Sequence, residues 1–254
     1  MFSQHFDFSL PARINFVGGG GKSSLILKLH EEFSATIPAI YCTTTRIHPP
    51  HPSQGLMVLC CDNEDYLAQM LLRLVLAWEP GQRFVVTHLG NSPDLLRGVT
   101  NGFSRLLDRS RFPLILNEAD GARSMSLKMP RDQEPVLIDD AEYIVPVIGL
   151  DCLNRPLGPE TLFRWEATRQ LLPYPAGTNL DPQIAASILL HPHGVCKEWR
   201  AGTQLVPFIN KVDSDSEDAQ ARALAVALLQ NRDFPVRRVV WGSVQHARAT
   251  SITQ

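Results

Sequence analysis

Four consecutive glycines followed by a lysine and two serines, Gly18-Gly19-Gly20-Gly21-Lys22-Ser23-Ser24, are the residues in this chain best suited to chemistry. Glycine lets the backbone approach a phosphate closely and turn its N–H groups inward, and a helix N-terminus adds partial positive charge. Lys22 would then reach the terminal phosphates, and Ser23 would place its hydroxyl on Mg²⁺. The standard phosphate-loop spacing GxxxxGK[ST] is not met, because Phe16 stands where the first glycine belongs. The contracted Gly18-x-x-Gly21-Lys22-Ser23 is similar instead to the GxxGK[ST] loop of Mur-type peptide ligases. A flexible glycine tract before a helix is the plain alternative.

Three further groups fall where a phosphate-loop protein wants them. Thr43, Thr44, Thr45 and Arg46 follow a strand, and hydroxyls at a strand end can reach Mg²⁺ or a γ-phosphate; threonines are also ordinary strand and turn formers. Glu118 and Asp120 end an apolar run, Leu114 to Asn117, where α/β proteins bind ligands. This run resembles a Walker B strand and also the DxxG switch of GTPases. Glu118 would hold Mg²⁺ and Asp120 would orient the attacking group, unless both are a polar turn. Asn210-Lys211-Val212-Asp213 resembles the NKxD element with which GTPases read guanine, which favours GTP slightly over ATP.

Weaker candidates are His48 with His51, His191 with His193, and Cys60-Cys61-Asp62, none at recognisable metal-ligand spacing. Five cysteines without a CxxC pair fit reduced thiols in a cytoplasmic protein.

These residues need a scaffold, and short apolar runs alternating with helical patterns supply one. Strands are expected at 14–17, 38–42, 55–61, 84–87, 113–117, 143–148, 205–210 and 238–241, and helices at 24–33, 64–78 and 217–230. Near-continuous apolar strands separated by helices indicate a parallel sheet buried on both faces, hence an α/β, doubly wound, P-loop NTPase-like fold. The chain, 254 residues long, fits a single domain. Residues 122–204 are proline-rich, with modest helical patterns at 160–172 and 183–190, and read as an insertion: a lid or partner-binding region. A net charge of −2 argues against nucleic acid as a partner. The N-terminus has no signal-peptide pattern, and the longest apolar run, 70–78, is too short to span a bilayer.

Together and in order, Gly18–Ser24, Thr43–Thr45, Glu118-Ala119-Asp120-Gly121-Ala122-Arg123 with Lys128-Met129-Pro130 and Glu134-Pro135, Gly149-Leu150-Asp151, and Asn210–Asp213 resemble the YqeC family from about Ile14 to Gly242. That family is described as accessory proteins of selenium-dependent molybdenum hydroxylases. The resemblance implies a role in maturation or cofactor delivery, with a molybdenum hydroxylase or its cofactor as partner. It also draws Arg123 and Lys128 toward a γ-phosphate or anionic substrate, the alternative for either being an ion pair with Glu134. Three readings stay open: a Mg²⁺-dependent NTPase, an ATP-dependent ligase or kinase acting on a small molecule, and a non-hydrolysing nucleotide-binding scaffold. A homodimer around bound nucleotide is a further expectation by analogy with related folds.

Overall fold

The computed structural model describes residues 1–92 and 94–254. Strands β1 (Ala12–Gly18), β2 (Ala39–Thr43), β3 (Met57–Cys60), β4 (Phe84–Ser92) and β5 (Leu95–Arg97) alternate with helices α1 (Lys22–Phe33) and α2 (Glu64–Val75). Next come β6 (Leu114–Glu118), β7 (Leu127–Lys128), β8 (Tyr143–Gly149), β9 (Leu162–Phe163), α3 (Trp165–Thr168) and α4 (Pro182–Leu189). The chain closes with β10 (Gln204–Leu205), β11 (Phe208–Asn210), α5 (Asp215–Leu229), β12 (Arg238–Ser243) and β13 (Arg248–Thr253).

The main sheet runs β13-β12-β11-β8-β1-β6-β2-β4-β3, with β10 on β8 and β5 on β4. Among the described strands of this sheet only β13 and β5 pair antiparallel. This is the P-loop NTPase-like doubly wound α/β architecture, with β1 central between β6 and β8. Connections from β1 through α1 run to one side, and those from β8 to the other, so the carboxyl end of β1 is a topological switch point where a crevice opens.

Strand alternation assigns the faces. Ile14 and Phe16 of β1, Tyr41 of β2 and Leu114 and Leu116 of β6 pack with Leu25, Ile26 and Leu29 of α1. On the opposite face Ile40, Cys42 and Ile115 pack with Leu67 and Leu71 of α2. Val17 and Ile144 meet Ala185 and Ile188 of α4 and Leu224 and Leu228 of α5 there too. Between those two clusters runs a buried polar strip. The Arg13 guanidinium donates to Phe112 O at 2.8 Å, and Asn15 Oδ1 accepts from Ile138 N at 3.0 Å and Asn117 Nδ2 at 2.8 Å. Polar groups so placed need partners, and these have them except for Arg13 Nε, which has none among the described residues.

Local sequence sets most boundaries. Asn63 caps α2 through Tyr66 N at 2.9 Å, Asp181 caps α4 ahead of Pro182, and Ser214 with Glu217 forms a capping box on α5. Three expectations are corrected. The run 205–210 splits into β10 and β11 because Pro207 lacks a ladder donor. The helix expected at 160–172 shrinks to Trp165–Thr168 and a 3₁₀ turn, because Leu162–Phe163 pairs with β7 and Arg164 sits left-handed at φ 74°. The helix expected at 64–78 ends at Val75.

Residues 122–204 hold β8, which lies between β1 and β11, and α4, which packs on α5. No helix among the described residues is long and apolar enough to cross a membrane.

Candidate functional site

The loop from β1 into α1 closes against three neighbours. A Cβ on Gly19 would lie 2.4 Å from Met125 O, and one on Gly20 (φ 73°) would lie 2.1 Å from Gly149 N. Only glycine fits either position. Gly19 N–H donates to Val147 O and Gly20 N–H to Met125 O, both at 2.9 Å. The donors left free are therefore further along. Among the described residues the backbone N–H groups of Gly21, Lys22, Ser23 and Ser24 have no partner, and no side chain caps α1. Uncapped N–H groups at a helix start, backed by the helix dipole, form an anion cradle.

A cleft of about 660 Å³ opens on that cradle, lined by Gly19–Ser24, Tyr41, Arg46–His51, Gln54, Glu118, Gly121–Met125 and Lys211. Its size is that of an ordinary small-molecule site. Strand alternation puts Glu118 on the α1 face with Leu114 and Leu116, where Ser23 waits. The Ser23 hydroxyl donates to the Glu118 carboxylate at 2.9–3.0 Å, and Tyr41 OH donates to Glu118 Oε2 at 2.6 Å. Burial, reinforced by the Glu118 charge, holds the Tyr41 phenol well above its ordinary pKa, so it stays a proton donor.

Behind the loop lies a chain of buried charges. Lys22 Nζ sits 3.0 Å from Asp120 and donates to Gly18 O at 2.5 Å. Asp120 also accepts from Gly18 N–H at 3.1–3.2 Å and pairs with Lys128 at 3.0 Å. Lys128 continues to Glu134 at 2.8 Å, and Glu134 to Arg164 at 2.9 Å. Asp120 and Lys128 are fully buried, so their pairing is obligatory.

The residues picked out in the sequence thus divide. Gly19–Gly21, Lys22, Ser23, Ser24, Glu118, Arg123 and Lys211 line one cleft, and Gly18 supports it from behind. Asp120 and Lys128 hold Lys22 in place and do not line the cleft. The Glu134 pair expected of Arg123 or Lys128 is made by Lys128 and Arg164; Arg123 instead stands over the Phe163 ring at 5.9 Å. Thr43 is fully buried, donating to Glu118 O at 3.0 Å, and Thr44 donates to Val136 O at 2.5 Å. Both threonines fix the ends of β2 and β6 outside the cleft lining.

Asn210 is a clamp: its Nδ2 donates to Gly20 O at 2.8 Å and its Oδ1 accepts from Val244 N at 3.2 Å. Lys211 bonds Ser126 Oγ and Asp151, each at 2.8 Å. Asp213 accepts from Ser243 Oγ at 2.5 Å, is half exposed, and is not among the cleft-lining residues.

Sequence reasoning missed Tyr41 as the partner of Glu118, although period-two alternation places it on the α1 face two residues before Thr43. It also missed Arg164, Ser126 and Ser243, which no local pattern marks. The weaker candidates form no metal centre: among the described residues no cluster of three or more His, Cys, Asp or Glu could hold an ion. All five cysteines are free thiols.

The YqeC protein family model matches residues 14–166, from the glycine-loop strand to the start of α3. The Uncharacterized protein YqeC of Escherichia coli (strain K12) is 28% identical over 241 residues, covering 92% of this chain and 88% of that one. No solved structure matches. The match covers more than half of the sequence, and the chain belongs to the YqeC family.

Proposed function

We propose that the cleft binds a nucleoside triphosphate with Mg²⁺, GTP ahead of ATP, and that the protein hydrolyses it. One observation carries the reading. Four unpartnered N–H groups and the Ser23–Glu118 pair converge on one cleft, with the Lys22 ammonium, held by Asp120 and Gly18 O, just behind the loop. An anion is the natural occupant of the free N–H groups at a helix start, and a hard cation the natural third partner of a hydroxyl and a carboxylate.

Ser23 and Glu118 are the residues that would hold Mg²⁺; the donor set is all oxygen and fits. The ion, when bound, neutralises charge on the terminal phosphates. The chain's own groups do the rest. Lys22, preset by Asp120 and Gly18 O, lies against the phosphates, and the α1 N–H groups bind their oxygens. Arg123, which makes no ion pair among the described residues, supplies positive charge where negative charge grows during transfer. Asp120 acts as a positioning residue through Lys22, in place of orienting the attacking group.

Asn210 and Asp213 support guanine over adenine. Asn210 couples the loop at Gly20 O to the turn after β12, and Ser243 orients Asp213 from that same turn. An oriented carboxylate matches the N1–H and amino group of guanine, whereas adenine offers no such pair. The accessory role in maturation or cofactor delivery for a selenium-dependent molybdenum hydroxylase rests on family membership and on no residue of the site.

Phosphate release from GTP, followed with and without Mg²⁺, tests the reading. Lys22→Ala and Glu118→Gln should each lower turnover by at least about a hundredfold, since each removes a charged contact to the reacting group. Turnover unchanged in Lys22→Ala would refute it.

A further inference from the structure

The cleft is larger than a phosphate cradle needs, and its extra wall is of one chemical kind. Sheet order sets its position. Lys211 follows β11 and the Arg46–Gln54 loop follows β2, each two strands from β1 but on opposite sides. At about 4.8 Å per strand the two flanks stand about 10 Å either side of the loop. A nucleotide whose base lies toward Lys211 therefore points its terminal phosphate toward Arg46.

That flank is tied to its neighbours. Ile47 exchanges both backbone hydrogen bonds with Leu96, at 3.2 and 2.9 Å, and His48 Nδ1 donates to Asp94 O at 2.8 Å. Pro49 and Pro50 fix the following backbone, and His51 caps the 3₁₀ turn Pro52–Gln54. The wall is built, and it is cationic. Four formal cations line the cleft: Lys22, Arg46, Arg123 and Lys211. Asp120 neutralises Lys22 and Asp151 neutralises Lys211, at 3.0 and 2.8 Å. Arg46 and Arg123 make no ion pair or side-chain hydrogen bond among the described residues. Glu118 is the only carboxylate in the lining among the described residues, and Ser23 and Tyr41 occupy it.

We propose that the lobe between Arg46 and Arg123 binds a second, anionic small molecule beside the terminal phosphate of the nucleotide. Its recognised group is an oxyanion, carboxylate or phosphate, because a guanidinium presents paired N–H donors that match two oxygens of either. A hydrolase needs only water at that point; two unpaired arginines lining the same cleft suit an acceptor or effector that carries charge. The assignment extends the nucleotide reading by naming what lies beyond the terminal phosphate.

The experiment titrates inorganic phosphate and, separately, citrate into the full chain without Mg²⁺, by calorimetry, in wild type and in Lys22→Ala. Using Lys22→Ala separates this lobe from the phosphate loop, so the result stands whether or not GTP binds. Saturable binding retained in Lys22→Ala, weakened about tenfold in Arg46→Gln and about a further tenfold with Arg123→Gln added, is expected from charge-assisted bonds of about 1.4 kcal/mol or more each. Arg46→Lys should recover part of the loss, since charge returns without the fork. Whichever probe binds more tightly identifies the oxyanion. Binding that vanishes in Lys22→Ala yet ignores Arg46→Gln overturns the proposal, as does the absence of saturable binding at millimolar concentrations. A thermal melt of Arg46→Gln, an exposed position, verifies the fold.

Discussion

His30 gives the most quantitative test of how α1, and with it the phosphate loop, is docked. The ring is fully buried under β2 and Nε2 donates to Ala39 O at 3.0 Å. Nδ1 has no partner among the described residues. That tautomer leaves Nδ1 bare, and protonating it would bury a charged N–H with nothing to accept it, so burial lowers the His30 pKa from 6.5 to about 4. The sign follows from linkage. Between those values the unfolded chain binds the proton and the folded one does not, so stability is complete above about pH 6.5 and falls as pH drops toward 4. A difference of 2.5 units at 1.36 kcal/mol each makes the full loss about 3 kcal/mol, with about 2 kcal/mol already gone at pH 5. For a chain of this size that is a fall in Tm of roughly 4–8 °C. The assay compares thermal melts at pH 7, 6 and 5 for wild type and His30→Gln. The glutamine amide reaches Ala39 O as Nε2 does but cannot titrate, so the variant should lack this share of the pH dependence. Identical pH profiles for the two proteins would refute the docking argument.

Other outcomes follow from the same geometry. Gly19→Ala should abolish nucleotide binding in a titration and destabilise the fold by about 1–3 kcal/mol, because its Cβ meets backbone at 2.4 Å on Met125 O. Lys128→Met should cost about 3 kcal/mol in urea unfolding, since it strips one partner from the fully buried Asp120 while leaving the Glu134–Arg164 pair. Asp213→Asn should weaken GTP about tenfold and favour XTP, whose carbonyl at the position of the guanine amino group accepts from the new amide. Equal GTP affinity in that variant would remove the base-reading role.

Much of this was legible in the sequence because local rules determine it. The glycine run, strand and helix stand where periodicity put them, and α5 overlaps the helix expected at 217–230. Glu118 could be placed at the end of its strand because a continuous apolar run, Leu114 to Leu116, ends just before it. What eluded the sequence depends on long-range pairing. Asp120 and Lys128 look like surface catalytic groups in the linear order, but β6 and β7 bring them together in the interior, 3.0 Å apart. The antiparallel edge β13 was invisible because its polar alternation, Arg248 to Thr253, reads as a tail until β12 supplies a ladder. Tyr41 carries no motif; its hydroxyl matters only because α1 carries Ser23 over the same carboxylate.

The most direct test of the central claim is a calorimetric titration of the purified protein with GTP, ATP and CTP, each with and without Mg²⁺, alongside Lys22→Ala. Saturable Mg²⁺-dependent binding, tightest for GTP and lost in Lys22→Ala, is the predicted result. No binding of any of the three nucleotides would contradict the account, and binding that survives in Lys22→Ala would take the phosphate away from the glycine loop.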